Sequence, residues 1–312
     1  MSMFGGGMAF AIGPLLITLN TTSGSEYGFL TLLATQGAIA TVLLLLIVAF
    51  FQDRPPTPPI VDMDDSINND PQSDPYAISR NQSFLEASKA VLLNPHFLVL
   101  MICFACCNAF FQSFATVLTQ IIVPKGYTIF DGSKFSVLSM VCTIIGGFTI
   151  GVLADRTKRF KLIACTTSFL SVCGFGLFAV IMMWKRTEFL FFIACIANAT
   201  IGLTIIPTIP VLLEMMTEVT FPVLPSTSAS ILGGFGTIFS LMYLVVINIL
   251  QLITTDSSQI ILWIDLGLLT CEFVLLVLFR GKFLRTNHEA KRIIPSSDDI
   301  VHISAQKNEF CR

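Results

Sequence analysis

The 312-residue chain is 54% hydrophobic and only 12% charged, with a formal net charge of −2. A soluble domain carries about 25% charged residues, so this composition excludes an ordinary water-soluble globule. Near-neutral charge also leaves no electrostatic footprint for a nucleic-acid partner.

A helix needs about 20 apolar residues to cross the hydrocarbon core. Runs of that kind recur, and they predict an all-α membrane protein of about eight transmembrane helices. The first covers Met1–Leu19 and ends at the polar patch Asn20–Glu26. It has no basic leader and no clear small-residue cleavage site, and Gly5-Gly6-Gly7, Gly13 and Pro14 suit a packed membrane helix better than a signal peptide. The second covers Tyr27–Phe51. A polar stretch, Gln52–His96, follows and opens with Asp53-Arg-Pro-Pro-Thr-Pro-Pro59, which is polyproline chemistry. Its Asp62–Asp74 section is acidic and rich in Asn, Asp and Ser, the composition of a disordered loop. Phe84, Leu85, Ser88, Val91 and Leu92 then share a helical face and predict a short interfacial helix. Six more spans come next: Phe97–Val123, Phe135–Ala154, Leu162–Trp184, Phe189–Leu213, Thr227–Ile253 and Gln259–Phe279. The domain reading is 1–51 as two helices ending an N-terminal bundle, 52–96 as a central loop, 97–280 as a six-helix bundle and 281–312 as a tail.

Basic residues set the expected orientation. With Gln52–His96 cytoplasmic, fourteen of the eighteen Lys and Arg residues fall on the cytoplasmic side. Lys125, Lys134, Lys185 and Arg186 are the four on the other side. Both termini are then expected in the cytoplasm, with the plasma membrane as the expected location.

Most cysteines sit inside apolar runs, among them Cys103, Cys106 and Cys107. They read as small core hydrophobes, not a disulfide framework or a metal centre. No nucleophile-elbow, zincin or phosphate-loop pattern occurs, so neither an enzyme, a metal nor a cofactor is expected.

Three segments carry a family resemblance. Gly151-Val-Leu-Ala-Asp155-Arg156-Thr-Lys158-Arg159-Phe-Lys161 closes a span at its cytoplasmic end and resembles the Gly-x-x-x-Asp-Arg-x-x-[Arg/Lys] loop of the major facilitator superfamily. An ordinary positive-inside loop has the same charges. Asp53–Pro59 looks like the start of the central loop in one branch of that superfamily, the feline leukaemia virus subgroup C receptor family. Glu214-Met-Met-Thr-Glu218-Val-Thr-Phe-Pro222 is similar to the end of helix 10 in the same branch. Weaker likeness runs through Ala11-Ile12-Gly13 and Gly234-Phe-Gly236. The resemblance implies a partial major facilitator fold equivalent to helices 5–12, with helices 1–4 absent. It implies transport of small organic solutes, with choline, ethanolamine or haem as solutes. In choline-like members a cage of aromatic and glutamine side chains is expected, but the corresponding positions here are Gly7, Gln112 and Gly233, and none matches. A truncated, non-transporting receptor-like or regulatory protein is the alternative. Missing N-terminal helices or a partner chain would complete a carrier.

Polar residues within spans are the candidate functional groups. Asn108, Gln112 and Thr116 repeat every four residues on one helix, and Asn198, Thr204 and Thr208 dot another. These six are candidates for solute contact; interhelical hydrogen bonding is the competing role. Asp155, Arg156, Lys158 and Arg159 are candidate gating residues through the resemblance. Pro207 and Pro210 predict a hinge ahead of Glu214 and Glu218, two carboxylates one helical turn apart that would gate the cytoplasmic end or simply meet water. Asp265 and Glu272 lie seven residues apart, about 20° apart around a helix, and are candidates for ion coupling or for polar packing. His96, His288 and His302 fall in a loop and a tail, which leaves a haem axial ligand unsupported.

Overall fold

The computed structural model describes residues 27–50, 84–254 and 257–281. These form eight α-helices: α1 (Tyr27–Phe50), α2 (Phe84–Leu92), α3 (Pro95–Ile122), α4 (Ile129–Thr157), α5 (Phe160–Ile181), α6 (Glu188–Thr220), α7 (Pro225–Ile253) and α8 (Ser257–Leu278). There is no strand among the described residues. All but α2 are long and apolar enough to cross a membrane. The expected first span, Met1–Leu19, and the 281–312 tail beyond residue 281 lie outside the described residues, as does most of the Gln52–His96 loop.

Helices α3 to α8 pack into one bundle around α3 and α6. Helix α6 takes α4 and α5 on either side, α3 takes α7 and α8, and α5 meets α8 to close the ring. The core between them is apolar and aromatic: Phe97, Phe110, Phe135, Phe175 and Phe178 are all fully buried. The rings of Phe110, Phe114, Phe175 and Phe178 interlock, with edge-on pairs 4.8–5.6 Å apart by centroid. Outside, large hydrophobic residues such as Phe192 and Leu252 remain exposed, as they do when lipid is the solvent. On α1, residues 33–50 are all exposed.

Hydrogen bonds sort the helix ends into two faces. At one, Asn94 Nδ2 donates to the Val219 carbonyl at 3.3 Å, and the rings of His96 and Phe279 meet at 6.0 Å. Lys161 Nζ joins the same face, donating to the Val277 carbonyl at 3.3 Å and to that of Phe279. At the other face the Arg186 N–H donates to the Lys125 carbonyl at 2.9 Å. A tight 3-10 turn, Val123–Lys125, ends α3 there, closed by Gly126 at φ 89°, a left-handed conformation that suits glycine. Tyr127 follows, and burial pushes its phenol above the ordinary range.

Several boundaries depart from those predicted by hydropathy. Helix α4 starts six residues before Phe135, because Thr128 and Asp131 form a reciprocal capping box. Helix α6 runs seven residues past Leu213 to Thr220 and stops where Pro222 forces Phe221 into an extended conformation. A short helix does form here, but its buried face is Ala87 and Val91, while Phe84, Leu85 and Leu92 are exposed. The shared face inferred from sequence is therefore split: two turns dock on the bundle and the bulky residues face outward.

Candidate solute groove

Helices α4 and α6 approach closely because small residues face each other. A Cβ on Gly202 would collide with the Ser139 backbone, and one on Gly146 with the Leu203 carbonyl. Pro207, one turn beyond Leu203, has no N–H to offer that carbonyl. The carbonyl is instead covered by the Gly146 backbone, a contact only glycine permits. Two side chains fasten the seam: Thr143 Oγ1 donates to the Gly202 carbonyl at 2.9 Å, and Asn198 Nδ2 to that of Phe135 at 2.6 Å.

Helix α3 does not close against α4 in the same way. A groove of about 590 Å³ opens between α3, α4 and α6. Phe110, Phe111 and Phe114 line it from α3, and Phe135 and Phe148 from α4. Its polar groups are Ser136, Ser139, Thr143 and Asn198. The Asn198 Oδ1 has no hydrogen-bond partner. Pro207 and Pro210 lie on the same wall. Such a groove is suited to a small ligand with an apolar or cationic surface: rings supply area and a negative π-face, and few hydroxyls fix orientation.

Of the six residues singled out for solute contact, Asn198 alone lines this groove. Thr204 and Thr208 face the opposite side of α6. Ser171 Oγ donates to Thr204 Oγ1 at 2.7 Å and Thr208 Oγ1 to Thr167 Oγ1 at 2.8 Å, a ladder that binds α6 to α5. Asn108 Nδ2 donates to Ser240 Oγ at 2.9 Å and to the Gly236 carbonyl at 3.3 Å, binding α3 to α7. Gln112 and Thr116 are exposed on α3, and Thr116 Oγ1 donates to the Gln112 carbonyl of its own helix. Ser136, Ser139 and Thr143 were not anticipated. Their i, i+3, i+7 spacing on α4, together with Gly132 and Gly146, is a readable stripe of small polar residues.

The carboxylates divide. Glu214 is exposed and Glu218 is buried, so one turn of α6 separates two environments. Asp155, Arg156, Lys158 and Arg159 are exposed at the α4–α5 turn, where Lys158 takes a left-handed φ of 52°. Asp265 and Glu272 are fully buried against α3. Asp265 Oδ1 accepts from Tyr243 Oη at 2.6 Å and from Ser113 Oγ at 3.3 Å, but its Oδ2 is unpartnered. Both Oε atoms of Glu272 lack a well-formed hydrogen bond, with the Ser168 hydroxyl beside them. Cys103 and Cys107 are buried free thiols, and their Sγ atoms approach the Glu272 and Ile205 carbonyls at 3.9 and 3.6 Å. No cluster suited to a metal ion occurs among the described residues.

On the opposite face, Asp131 is buried at the head of α4. Lys134 Nζ lies 3.4 Å from Asp131 Oδ1 and Arg186 Nε 3.4 Å from Oδ2, the second without hydrogen-bond alignment. Arg186 Nη1 also pairs with Glu188 at 3.0 Å, and its guanidinium stacks 5.4 Å from the Phe191 ring. This network pins the α5–α6 turn to the start of α4.

Residues 1–247 match the Major Facilitator Superfamily. Solute carrier family 49 member A3 of Danio rerio is 27% identical over 260 residues, covering 81% of this chain and 51% of that protein. Choline/ethanolamine transporter FLVCR1 of Felis catus is 23% identical over 283 residues, 88% of this chain and 48% of the relative. Choline/ethanolamine transporter flvcr2a of Danio rerio is 22% identical over 253 residues, 79% and 51% respectively. The chain spans about half the length of the curated relatives it matches. It is a multi-pass integral membrane protein, and it belongs to the major facilitator superfamily.

Proposed function

We propose that this chain forms part of a carrier for small organic amines, of which choline and ethanolamine are the first to test, working by alternating access. The observation that carries the reading is the phenylalanine-lined groove between α3, α4 and α6 in a chain of a carrier family. Cations are drawn to ring faces, and a groove with several rings and few hydroxyls suits a small ammonium group with an alcohol tail. Alternating access needs a second bundle across the site. In this reading that bundle is supplied by further helices or by a partner chain. The plasma membrane, with both termini cytoplasmic, is the proposed setting, supported by the fourteen-to-four distribution of basic residues.

Uptake of radiolabelled choline and ethanolamine into cells expressing the protein together with the helices or partner that complete it tests this. Saturable uptake is expected of that complete carrier, with Phe111→Ala and Phe148→Ala each raising KM by roughly three- to thirtyfold, the span of one cation–π contact. Saturable uptake unchanged by either substitution would remove the groove from the solute path.

A further inference from the structure

A second groove, of about 960 Å³, lies between α5 and α8 on the outside of the bundle. Its walls are apolar: Leu162, Phe169 and Leu170 from α5, and Phe273 and Val277 from α8. The rings of Phe169 and Phe273 meet at 5.5 Å across it. Leu162 and Phe169 are more than half exposed, so this surface faces whatever surrounds the bundle. The mouth has the opposite chemistry. Lys158, Arg159 and Lys161 line it, and the segment 155–161 holds four basic residues against one acid.

The three basic residues are not equivalent. Lys161 is committed to the carbonyls of Val277 and Phe279, where a cation suits the negative end of α8. It holds the two walls together. Lys158 and Arg159 are exposed and form no ion pair with any described residue. Arg159 also stands at the N-cap of α5, which has no side-chain cap. A strip of apolar surface running down the bundle, under exposed cations, has the polarity of a phospholipid: acyl chain below, phosphate above; Lys158 Nζ otherwise rests 6.0 Å over the Phe160 ring. Charge complementarity selects an anionic headgroup over a zwitterionic one.

We infer that the α5–α8 groove binds an anionic phospholipid from the surrounding leaflet, with its headgroup phosphate on Lys158 and Arg159 and an acyl chain along Leu162, Phe169 and Phe273. The inference is independent of the transported solute. It gives the basic loop a ligand in addition to any part in gating.

Native mass spectrometry of the purified 312-residue protein tests it. The detergent-solubilised chain is offered equimolar phosphatidylserine and phosphatidylcholine with identical acyl chains. Preferential retention of phosphatidylserine is expected. The Lys158→Gln/Arg159→Gln double variant, altered only at exposed positions, should lower that preference roughly thirtyfold, or about 2 kcal/mol for two basic residues at about 1 kcal/mol each. Leu162→Trp, which fills the groove but keeps the charges, should lower retention of both lipids. An unchanged thermal unfolding midpoint verifies folding of each variant. Equal retention of the two lipids, or an undiminished preference in the double variant, would overturn the inference. So would displacement of phosphatidylserine by equimolar glycerophosphoserine, which has the headgroup and no acyl chain.

Discussion

Asn198 is fully buried, its amide donates to a carbonyl of the neighbouring helix, and its oxygen is left free. Interhelical hydrogen bonds in membranes are worth about 0.6 kcal/mol on average and rarely more than about 1.7. Asn198→Ala should therefore lower stability by about 1 kcal/mol, read as a small drop in the thermal midpoint of the detergent-solubilised protein. A larger effect on uptake than on stability would assign the free oxygen to the solute. Glu272 presents the converse case. Its carboxyl has the Ser168 hydroxyl beside it but no well-formed hydrogen bond, so Glu272→Gln removes a costly buried acid and keeps its shape. Its stability should be equal or higher. Ion coupling is the other role open to Asp265 and Glu272; if Glu272 serves it, the same variant should change the ion dependence of uptake while the thermal midpoint holds. Lys158 sits in a left-handed conformation that costs a non-glycine residue roughly 1 kcal/mol. Lys158→Gly should recover part of that, measurable as a higher midpoint.

At the scale of elements, the α4–α6 seam depends on the absence of side chains. Gly202 faces the Ser139 backbone with no room for a Cβ, so Gly202→Val should separate the helices. The expected cost exceeds about 3 kcal/mol, since backbone cannot yield as a flexible side chain does. Loss of monodisperse protein in size-exclusion chromatography checks it, with Gly147→Ala as a control where a Cβ meets open space. The same elements show what could be read in advance. Spans were legible because bilayer thickness imposes a long apolar run, and seven such helices are present among the described residues. Their ends were not, because hydropathy ignores caps. Thr128 and Asp131 extend α4 backward, and α6 continues through Glu214 and Glu218 because nothing before Pro222 stops it. Which side of a helix meets which neighbour was also hidden. Thr204 and Thr208 look like pocket residues in a polar-poor sequence, yet they face α5. A membrane helix is apolar all round, so no hydrophobic stripe marks its inward side. Ser136, Ser139 and Thr143 reach the groove through their spacing with small residues, a packing signal rather than a polarity signal.

The bundle divides into two sets of three. Helices α4, α5 and α6 are joined by glycine contacts and by the Thr–Thr and Ser–Thr hydrogen bonds; α3, α7 and α8 are joined through Asn108, Ser240, Tyr243 and Asp265. The solute groove lies where the sets face each other across α3 and α4. Helix α6 spans 33 residues, about 50 Å at 1.5 Å per residue. Its uncharged stretch from Phe189 to Leu213 is about 37 Å long, against a hydrocarbon core of about 30 Å. A helix that long must tilt, kink at Pro207 or Pro210, or draw thicker lipid around itself, and sterol-rich plasma membrane is a few ångströms thicker than that of the endoplasmic reticulum. Where the helix stays straight, hydrophobic mismatch would favour thicker bilayers for this protein. Reconstituted into bilayers of increasing acyl length, it should unfold at progressively higher temperature until the lipid matches α6, so membrane thickness itself acts as an address.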